Sequence, residues 1–242
     1  MQELPFGDLP SVYAWPLAQR WVRAMMLHSL DGAAAGPDGR SGSISSPADR
    51  QVLAEVRRLA DAVVIGAQTM RAERYTPMRA KPEAAQERAE LGLAAAPVLV
   101  IMSDSLALPW DEPVFAESAI TPIVVTSAGA DASAQAQAQA HCDLVVIEQD
   151  TVTADALLEV LAARGLRRIV CEGGPRLLRM LLDADVVDEL DFTIAPWIIG
   201  REQVPYAPPP MPVQRFEPAT MMTHEGFAFM RYLRPAAPSD RP

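Results

Sequence analysis

The sequence predicts one α/β domain with a mostly parallel central sheet, an antiparallel C-terminal edge hairpin, and helices on both faces. Three observations lead to this fold class. Several short runs are apolar without alternation, which is typical of strands that are covered on both faces. Segments with helical periodicity separate these runs, as they do between parallel strands. The last two apolar runs are instead joined by a tight turn, which predicts a hairpin.

The first half of the chain predicts a strand, a loop, a helix and a second strand. Trp21–Leu27 is an apolar run in which only Arg23 is charged. Ser46 and Pro47 are the residue types preferred as the N-cap and the first residue of a helix. Asp61–Ala67 is a continuous apolar run that predicts the next buried strand.

The second half continues this alternation up to a final hairpin. Thr153 is expected to cap the start of a helix that runs through Ala163. Gly165 follows this helix at the usual stop position. The alanine- and glutamine-rich segment 128–140 predicts either a surface helix or a mobile loop. Arg176–Ala184 has an apolar helical pattern. The remaining strands are expected at Val98–Met102, Pro122–Thr126, Leu144–Ile147, Arg168–Cys171, Glu189–Ala195, Thr220–His224 and Phe227–Leu233, with a turn at Glu225–Gly226.

Composition fits a single globular domain. Of 242 residues, 50% are hydrophobic and 21% are charged. We expect residues 1–19 to be an N-terminal extension, 20–234 the domain and 235–242 a disordered tail. No window reaches 18 apolar residues, and the N-terminus lacks the layout of a signal peptide, so neither a transmembrane helix nor secretion is expected. We therefore predict a soluble, cytoplasmic protein.

Several classes of chemistry lack the residues that they need. The single lysine, Lys81, lies outside any phosphate-binding loop motif, and the three histidines share no spacing typical of metal ligands. The two cysteines, Cys142 and Cys171, are not paired in spacing. We therefore expect no metal site, no disulfide framework and no Schiff-base lysine.

Charge is unevenly distributed along the chain. The net charge of −10 argues against a general nucleic-acid or anionic-membrane surface. The first 79 residues nevertheless hold nine arginines against eight acidic residues, and five arginines fall between Arg57 and Arg79. This basic stretch indicates either one anionic ligand or a set of solvated helix arginines.

Two strands end in glycines. Ile169–Cys171 runs into Glu172, Gly173 and Gly174, after which a helix begins, and such a helix start can bind phosphate through free N–H groups. The alternative is a tight turn that needs a positive φ. Ile65 and Gly66 repeat the pattern, followed by Thr69 as a candidate helix cap. Together these turns predict two phosphates, or a dinucleotide across the strand ends.

Glu172 and Asp31 are the candidate carboxylates. Glu172 lies where open sheets place their ligands, so it is expected either to bond a substrate NH or OH group or to cap a neighbouring backbone. Asp31 follows the first strand, but Asp-Gly is also an ordinary turn dipeptide.

Five motifs, taken in order, resemble a known family. They are Met26–Gly32, Ser45–Arg50, Asp61–Thr69, Cys171–Pro175 and Val187–Leu190. In this combination the chain resembles the reductase domain of RibD-type riboflavin-biosynthesis proteins, particularly the stand-alone actinobacterial pyrimidine reductase family. The resemblance covers roughly residues 20–234 and implies the dihydrofolate-reductase-like fold.

The resemblance also implies an activity. It is the NADPH-dependent reduction of 5-amino-6-(5-phosphoribosylamino)uracil, with hydride passing to C1′ of a ring-opened imine. Two alternatives stay open, namely reduction of a pterin such as dihydrofolate and a non-catalytic NADPH-binding relative. The family also implies a homodimer, formed through the part of the sheet that carries Leu190, Phe192 and Ile194.

Glu172 and Asp31 are the expected catalytic residues, since either carboxylate would orient the pyrimidine or relay a proton, and no metal ligand is expected. The resemblance assigns the remaining site residues. The cofactor positions are His28, Ser43, Gly66, Thr69, Glu73, Ser103, Gly173, Gly174, Pro175, Arg176 and Leu177. The substrate positions are Ser41, Arg57, Arg79 and Glu172.

Four positions depart from the family pattern. Met25 stands where some relatives have a lysine, and Ser43 replaces a tryptophan that packs on the cofactor. Glu73 replaces an aspartate, and Arg176 stands where threonine is common. These departures leave the predicted fold unchanged but leave the substrate open.

Overall fold

The computed structural model describes residues 2–4, 6–18, 20–200 and 213–235, which form one ten-stranded sheet with helices on both faces. The strands are β1 Gln2–Leu4, β2 Trp21–Ser29, β3 Ala62–Gly66, β4 Val98–Met102, β5 Ile123–Ser127, β6 Asp143–Ile147, β7 Arg168–Cys171, β8 Glu189–Ala195, β9 Glu217–His224 and β10 Phe227–Leu233. The helices are α1 Leu9–Val12, α2 Pro47–Arg58, α3 Ala67–Glu73, α4 Pro82–Glu90, α5 Pro113–Glu117, α6 Ala132–Gln139, α7 Ala154–Ala163 and α8 Pro175–Asp183.

The sheet has the order β1-β9-β10-β8-β2-β7-β3-β4-β5-β6. All neighbouring strands from β8 to β6 are parallel, and β10 is antiparallel to both β8 and β9. The predicted fold class is therefore confirmed. The strand β1 was not predicted, and it pairs in parallel with β9 outside the hairpin. Because β2, β3, β4 and β7 are parallel neighbours, their carboxyl ends meet at one edge of the sheet.

The predicted helix starts and stops arise from local hydrogen bonds. Ser46 Oγ accepts from the amide of Asp49 at 3.1 Å, and Thr153 Oγ1 accepts from the amide of Ala156 at 3.2 Å. Gly165 follows α7 with a φ of +73°, a conformation that glycine adopts without strain. The alanine-rich segment forms helix α6 rather than a mobile loop.

The expectation that Thr69 caps a helix is wrong. Gly66 is the N-cap of α3, and Thr69 lies within the first turn of that helix. The helix begins directly after the glycine, and no side chain caps its start. The proline-rich segment 201–212 and residues 236–242 of the predicted tail lie outside the described residues.

Two apolar cores cover the faces of the sheet. One is formed by α1, α2 and the β-strand side chains of Met25, Val63 and Ile101. The other is formed by α7, α8 and the opposite side chains of the same strands, such as Ala24 and Val64. Among the described residues, no helix has both the length and the apolar character needed to cross a bilayer.

Strand β8 buries its charged side chains more deeply than its apolar ones. Glu189 and Asp191 are 0% and 3% exposed, whereas Phe192 and Ile194 are only partly buried. Arg23 on β2 is also fully buried, and its Nε lies 3.0 Å from Glu189 Oε1 and 3.5 Å from Asp191 Oδ2. Burial and the neighbouring Glu189 carboxylate raise the pKa of Asp191 well above its usual range. This cluster holds β2 and β8 together.

Candidate active site

The two glycine turns lie side by side at the carboxyl edge of the sheet. The amide of Gly66 donates to the carbonyl of Gly173 at 2.8 Å, and the amide of Glu172 donates to the carbonyl of Val64 at 3.0 Å. The ends of β3 and β7 therefore form one surface that carries both glycine turns.

The turn before α8 carries no side chain over its backbone, because it consists of two glycines. Gly174 is the N-cap of α8, and no side chain caps that helix start. A Cβ atom added to Gly174 would lie 3.0 Å from Thr69 Oγ1, and Gly173 has a φ of +86°. Such a helix start presents amide donors and a positive dipole end to an anion, so the residues present fit a phosphate group.

The first turn of α8 divides its side chains between solvent and core. Pro175 and Arg176 are exposed, whereas Leu177 is buried in the core. Arg176 therefore places a guanidinium group beside the open helix start. Leu177 has only its backbone to offer a ligand.

If this turn holds a phosphate of a nicotinamide dinucleotide, Gly174→Ala is expected to raise the dissociation constant of that cofactor about tenfold, because the added methyl group would press on Thr69 Oγ1 at the helix start. Fluorescence titration of NADPH checks this. Gly129→Ala is the matched control, since its added Cβ would meet only Ser127 Oγ at 3.8 Å. Unchanged NADPH binding in Gly174→Ala would mean that this turn carries no phosphate.

The loop after β2 is tied to α3. The backbone amide of Ser41 donates to Glu73 Oε1 at 2.8 Å, which brings a predicted substrate position against a predicted cofactor position. Ser43 is exposed and its hydroxyl donates to Asp38 at 2.7 Å. Glu73 thus orders the loop through its carboxylate.

His28 lies near the end of β2 and Ser103 directly follows β4, two strands that β7 and β3 separate in the sheet. The His28 ring is 5.7 Å from the ring of Phe192, and burial lowers its pKa, which favours the neutral imidazole. Ser103 follows β4, is buried, and accepts from the amide of Leu106 at 3.0 Å through its hydroxyl. Its side chain therefore shapes the loop that follows β4.

Asp31 joins two loops at the ends of β2 and β8. Its carboxylate accepts from the hydroxyl of Ser29 and from the amides of Ile199 and Gly200, the last at 2.9 Å. The Ser29 hydroxyl and these amides lower the pKa of Asp31 to about 2. The predicted catalytic aspartate is thus an anion that holds the two loops together.

Arg57, Glu172 and Tyr75 form a connected cluster beside the glycine turns. Arg57 binds Glu172 through two donors, Nε to Oε1 at 2.6 Å and Nη2 to Oε2 at 2.5 Å. The Tyr75 hydroxyl donates to Glu172 Oε2 at 2.9 Å, and the Arg57 guanidinium lies 5.5 Å from the Tyr75 ring centre. The structure therefore brings two predicted substrate residues together and adds Tyr75, which the sequence patterns did not reveal.

Arg79 lies on the other side of Arg57. It is exposed and pairs with Glu117 at 3.0 Å. Arg57 and Arg79 line a common cavity of about 450 Å³, and Lys81 also faces it. Arg57, Arg58 and Arg79 of the basic stretch thus line a space large enough for a small anionic group, together with Glu55 and Glu83. Among the described residues, no group of three or more histidine, cysteine or acidic side chains is placed to hold a metal.

Comparison with known proteins places this site in a family. The RibD C-terminal domain family matches residues 20–225. The chain is 31% identical over 172 residues to the 2,5-diamino-6-ribosylamino-4(3H)-pyrimidinone 5′-phosphate reductase of Methanothermobacter thermautotrophicus, covering 71% of this chain and 76% of that protein. It is 28% identical to the riboflavin biosynthesis protein RibD of Bacillus amyloliquefaciens, covering 73% of this chain but only 46% of that longer protein.

A solved structure agrees along the whole fold. The crystal structure of a pyrimidine reductase-like protein from Corynebacterium diphtheriae matches with a TM-score of 0.83 at 28% identity, covering 95% of this chain and 99% of that one. The matched residues 20–225 contain strands β2 to β9, both glycine turns and the Arg57–Glu172 pair, whereas β1 and β10 lie outside them. This chain belongs to the RibD C-terminal domain family.

Proposed function

We propose that this protein is an NADPH-dependent reductase that transfers hydride to 5-amino-6-(5-phosphoribosylamino)uracil or its 2,5-diaminopyrimidinone counterpart in riboflavin biosynthesis. The observation that carries this proposal is the Arg57–Glu172 pair, because Glu172 directly precedes the glycine turn and Arg57 lines the cavity that Arg79 and Lys81 also line. This arrangement provides one surface for a dinucleotide and an adjoining one for a phosphorylated substrate.

The cofactor would lie along the carboxyl ends of β2, β3, β4 and β7. The backbone from Gly173 to Leu177 and the turn at Gly66 would receive its phosphates, with Thr69 and Arg176 beside them. His28, Ser43, Glu73 and Ser103 would border the same edge. When bound, NADPH supplies the hydride.

The protein's own contribution is to bind and orient the pyrimidine. Glu172 would accept a hydrogen bond from an NH or OH group of the substrate, and Arg57 fixes the plane of its carboxylate. Arg79 and Lys81 would meet the ribose phosphate in the cavity, where a guanidinium suits a phosphate because its donors are bidentate. Ser41 would border the phosphate from the loop that Glu73 holds.

Hydride transfer depends mainly on positioning and electrostatics. Asp31 would act by holding the loops after β2 and β8 closed over the reacting groups, rather than by exchanging a proton, since its lowered pKa keeps it anionic. Met25 is 9% exposed and packs in the core, so it offers no proton where some relatives have a lysine. Glu172 is therefore the acid–base group of this proposal.

NADPH consumption by the purified protein tests the proposal. The phosphoribosylaminouracil, its diaminopyrimidinone counterpart and dihydrofolate are offered in separate reactions, and the two pyrimidines are also offered without their phosphate. We expect fast turnover of a phosphorylated pyrimidine and at least a tenfold higher KM without the phosphate, because a charged hydrogen bond contributes roughly 1.5–3 kcal/mol.

Other results would redirect the assignment. Turnover with dihydrofolate alone would move the activity to a folate and would contradict the substrate roles of Arg57 and Arg79. Tight NADPH binding without turnover of any of these compounds would favour the non-catalytic alternative.

We also propose a homodimer and a cytoplasmic location, which analytical ultracentrifugation and cell fractionation would test.

A further inference from the structure

Tyr75 is a residue to which neither the sequence motifs nor the family assigns a role. It follows α3, where Arg74 adopts a left-handed conformation with a φ of +49°. This turn sends the chain away from the helix axis and directs Tyr75 toward the end of β7. The Tyr75 hydroxyl reaches Glu172 Oε2 at 2.9 Å, although the two residues are 97 positions apart.

The two oxygens of Glu172 differ in how many donors they receive. Oε2 accepts from Arg57 Nη2 and from the Tyr75 hydroxyl, whereas Oε1 accepts from Arg57 Nε. A carboxylate has about four lone-pair sites, two on each oxygen. Within the described chain, the donors of this cluster therefore fill Oε2 and leave an acceptor site on Oε1.

We propose that Tyr75 is a positioning residue for Glu172, which saturates Oε2 and thereby leaves Oε1 as the atom that meets the substrate. This inference rests on the proposed function, because the role of Oε1 requires that Glu172 contact the pyrimidine. Tyr75 itself touches no reacting atom and works through the carboxylate.

The surroundings keep Tyr75 in the donor form. Burial, followed by the charge of Glu172, raises the pKa of the Tyr75 hydroxyl well above its ordinary value. The Tyr75 ring also packs against the Arg57 guanidinium, which lies 5.5 Å from the ring centre. Arg57 therefore holds the ring, and Glu172 holds the hydroxyl. With only 7% of its side chain exposed, Glu172 has little freedom to find another donor.

Tyr75→Phe is the direct test, because it removes the hydroxyl and keeps the ring against Arg57. We expect kcat for the phosphoribosylaminopyrimidine to fall about tenfold, since small misplacements of a reacting group lower rates by that order or more. The KM and the NADPH dissociation constant should stay within twofold. Tyr232→Phe is the matched control, because Tyr232 lies on β10, which β8 and β2 separate from β7.

A double-mutant cycle separates positioning from a general structural effect. In a Glu172→Ala background, Tyr75→Phe should change kcat by less than twofold, measured in single turnovers, because the group through which Tyr75 acts is gone. Equal losses in both backgrounds, or a normal kcat in Tyr75→Phe alone, would overturn the positioning role. Wild-type protein that turns over no pyrimidine would instead contradict the proposed function, and the role of Tyr75 would fall with it.

Discussion

Glu172→Gln is expected to lower turnover of the phosphorylated pyrimidine about 100-fold, because a positioned acid–base group typically contributes 10²–10⁴-fold to the rate. Glutamine keeps the shape of the side chain but cannot exchange a proton, and Arg57 loses its anionic partner. The NADPH dissociation constant should stay within a few-fold, since the proposed cofactor site is the backbone of the glycine turns. Steady-state kinetics and NADPH titration measure both quantities.

The matched control for this prediction is Glu159→Gln. Glu159 is an exposed carboxylate on α7, on the far side of the sheet from α2, and its neutralisation should leave kcat unchanged. Full turnover by Glu172→Gln would remove Glu172 from the chemistry. A matching loss of NADPH affinity would instead show that the substitution disturbs the whole edge of the sheet.

Arg23→Met should lower the free energy of unfolding by about 3–5 kcal/mol, the usual effect of removing one partner of a buried ion pair. Arg23 is fully buried between Glu189 and Asp191, and its guanidinium also donates to the carbonyl of Tyr13 at 3.1 Å. Without it, Asp191 loses the cation that lies 3.5 Å from it, while Glu189 keeps Arg231 and the Trp21 indole N–H as partners among the described residues. Since a domain of this kind is stable by only about 5–15 kcal/mol, the loss is large.

Urea unfolding followed by circular dichroism measures this effect. Arg164→Met is the control, because Arg164 pairs with Asp143 at the surface and such pairs contribute about 0–1 kcal/mol. A change below about 1 kcal/mol in Arg23→Met would mean that the carboxyl groups of β8 become neutral without penalty. In that case the segment around Tyr13 would be held by the packing of its side chain against Arg231 and β8, and not by the ion pairs of Arg23.

Much of the fold could be predicted because its signals are local. The apolar run at Val98–Met102 and the capping pattern from Thr153 to Gly165 depend on neighbouring residues, and both match the structure closely. Residues before Trp21 gave no such signal. Their short elements, β1 and α1, form because β9 and α2 provide surfaces for them.

The candidate site was predictable in part. The glycine turns at Gly66 and Gly174 are local motifs, but they become adjacent only because the sheet places β7 beside β3. Tyr75 has no comparable signal, since its partner Glu172 comes from a distant strand. Asp31 likewise has only the sequence signal of a turn residue, because its partners Ile199 and Gly200 come from the distant loop after β8.

Residue type and spacing along the chain are enough to predict the main alternation of strands and helices from Trp21 onward, the two glycine-bearing strand ends and the excess of arginine near Arg57. Which charges meet depends instead on the three-dimensional packing. It buries Arg23 of β2 with Glu189 and Asp191 of β8, which are more than 160 positions away along the chain. It also paired Arg57 with Glu172 across the sheet edge, since contacts between distant residues depend on how the strands are ordered and packed.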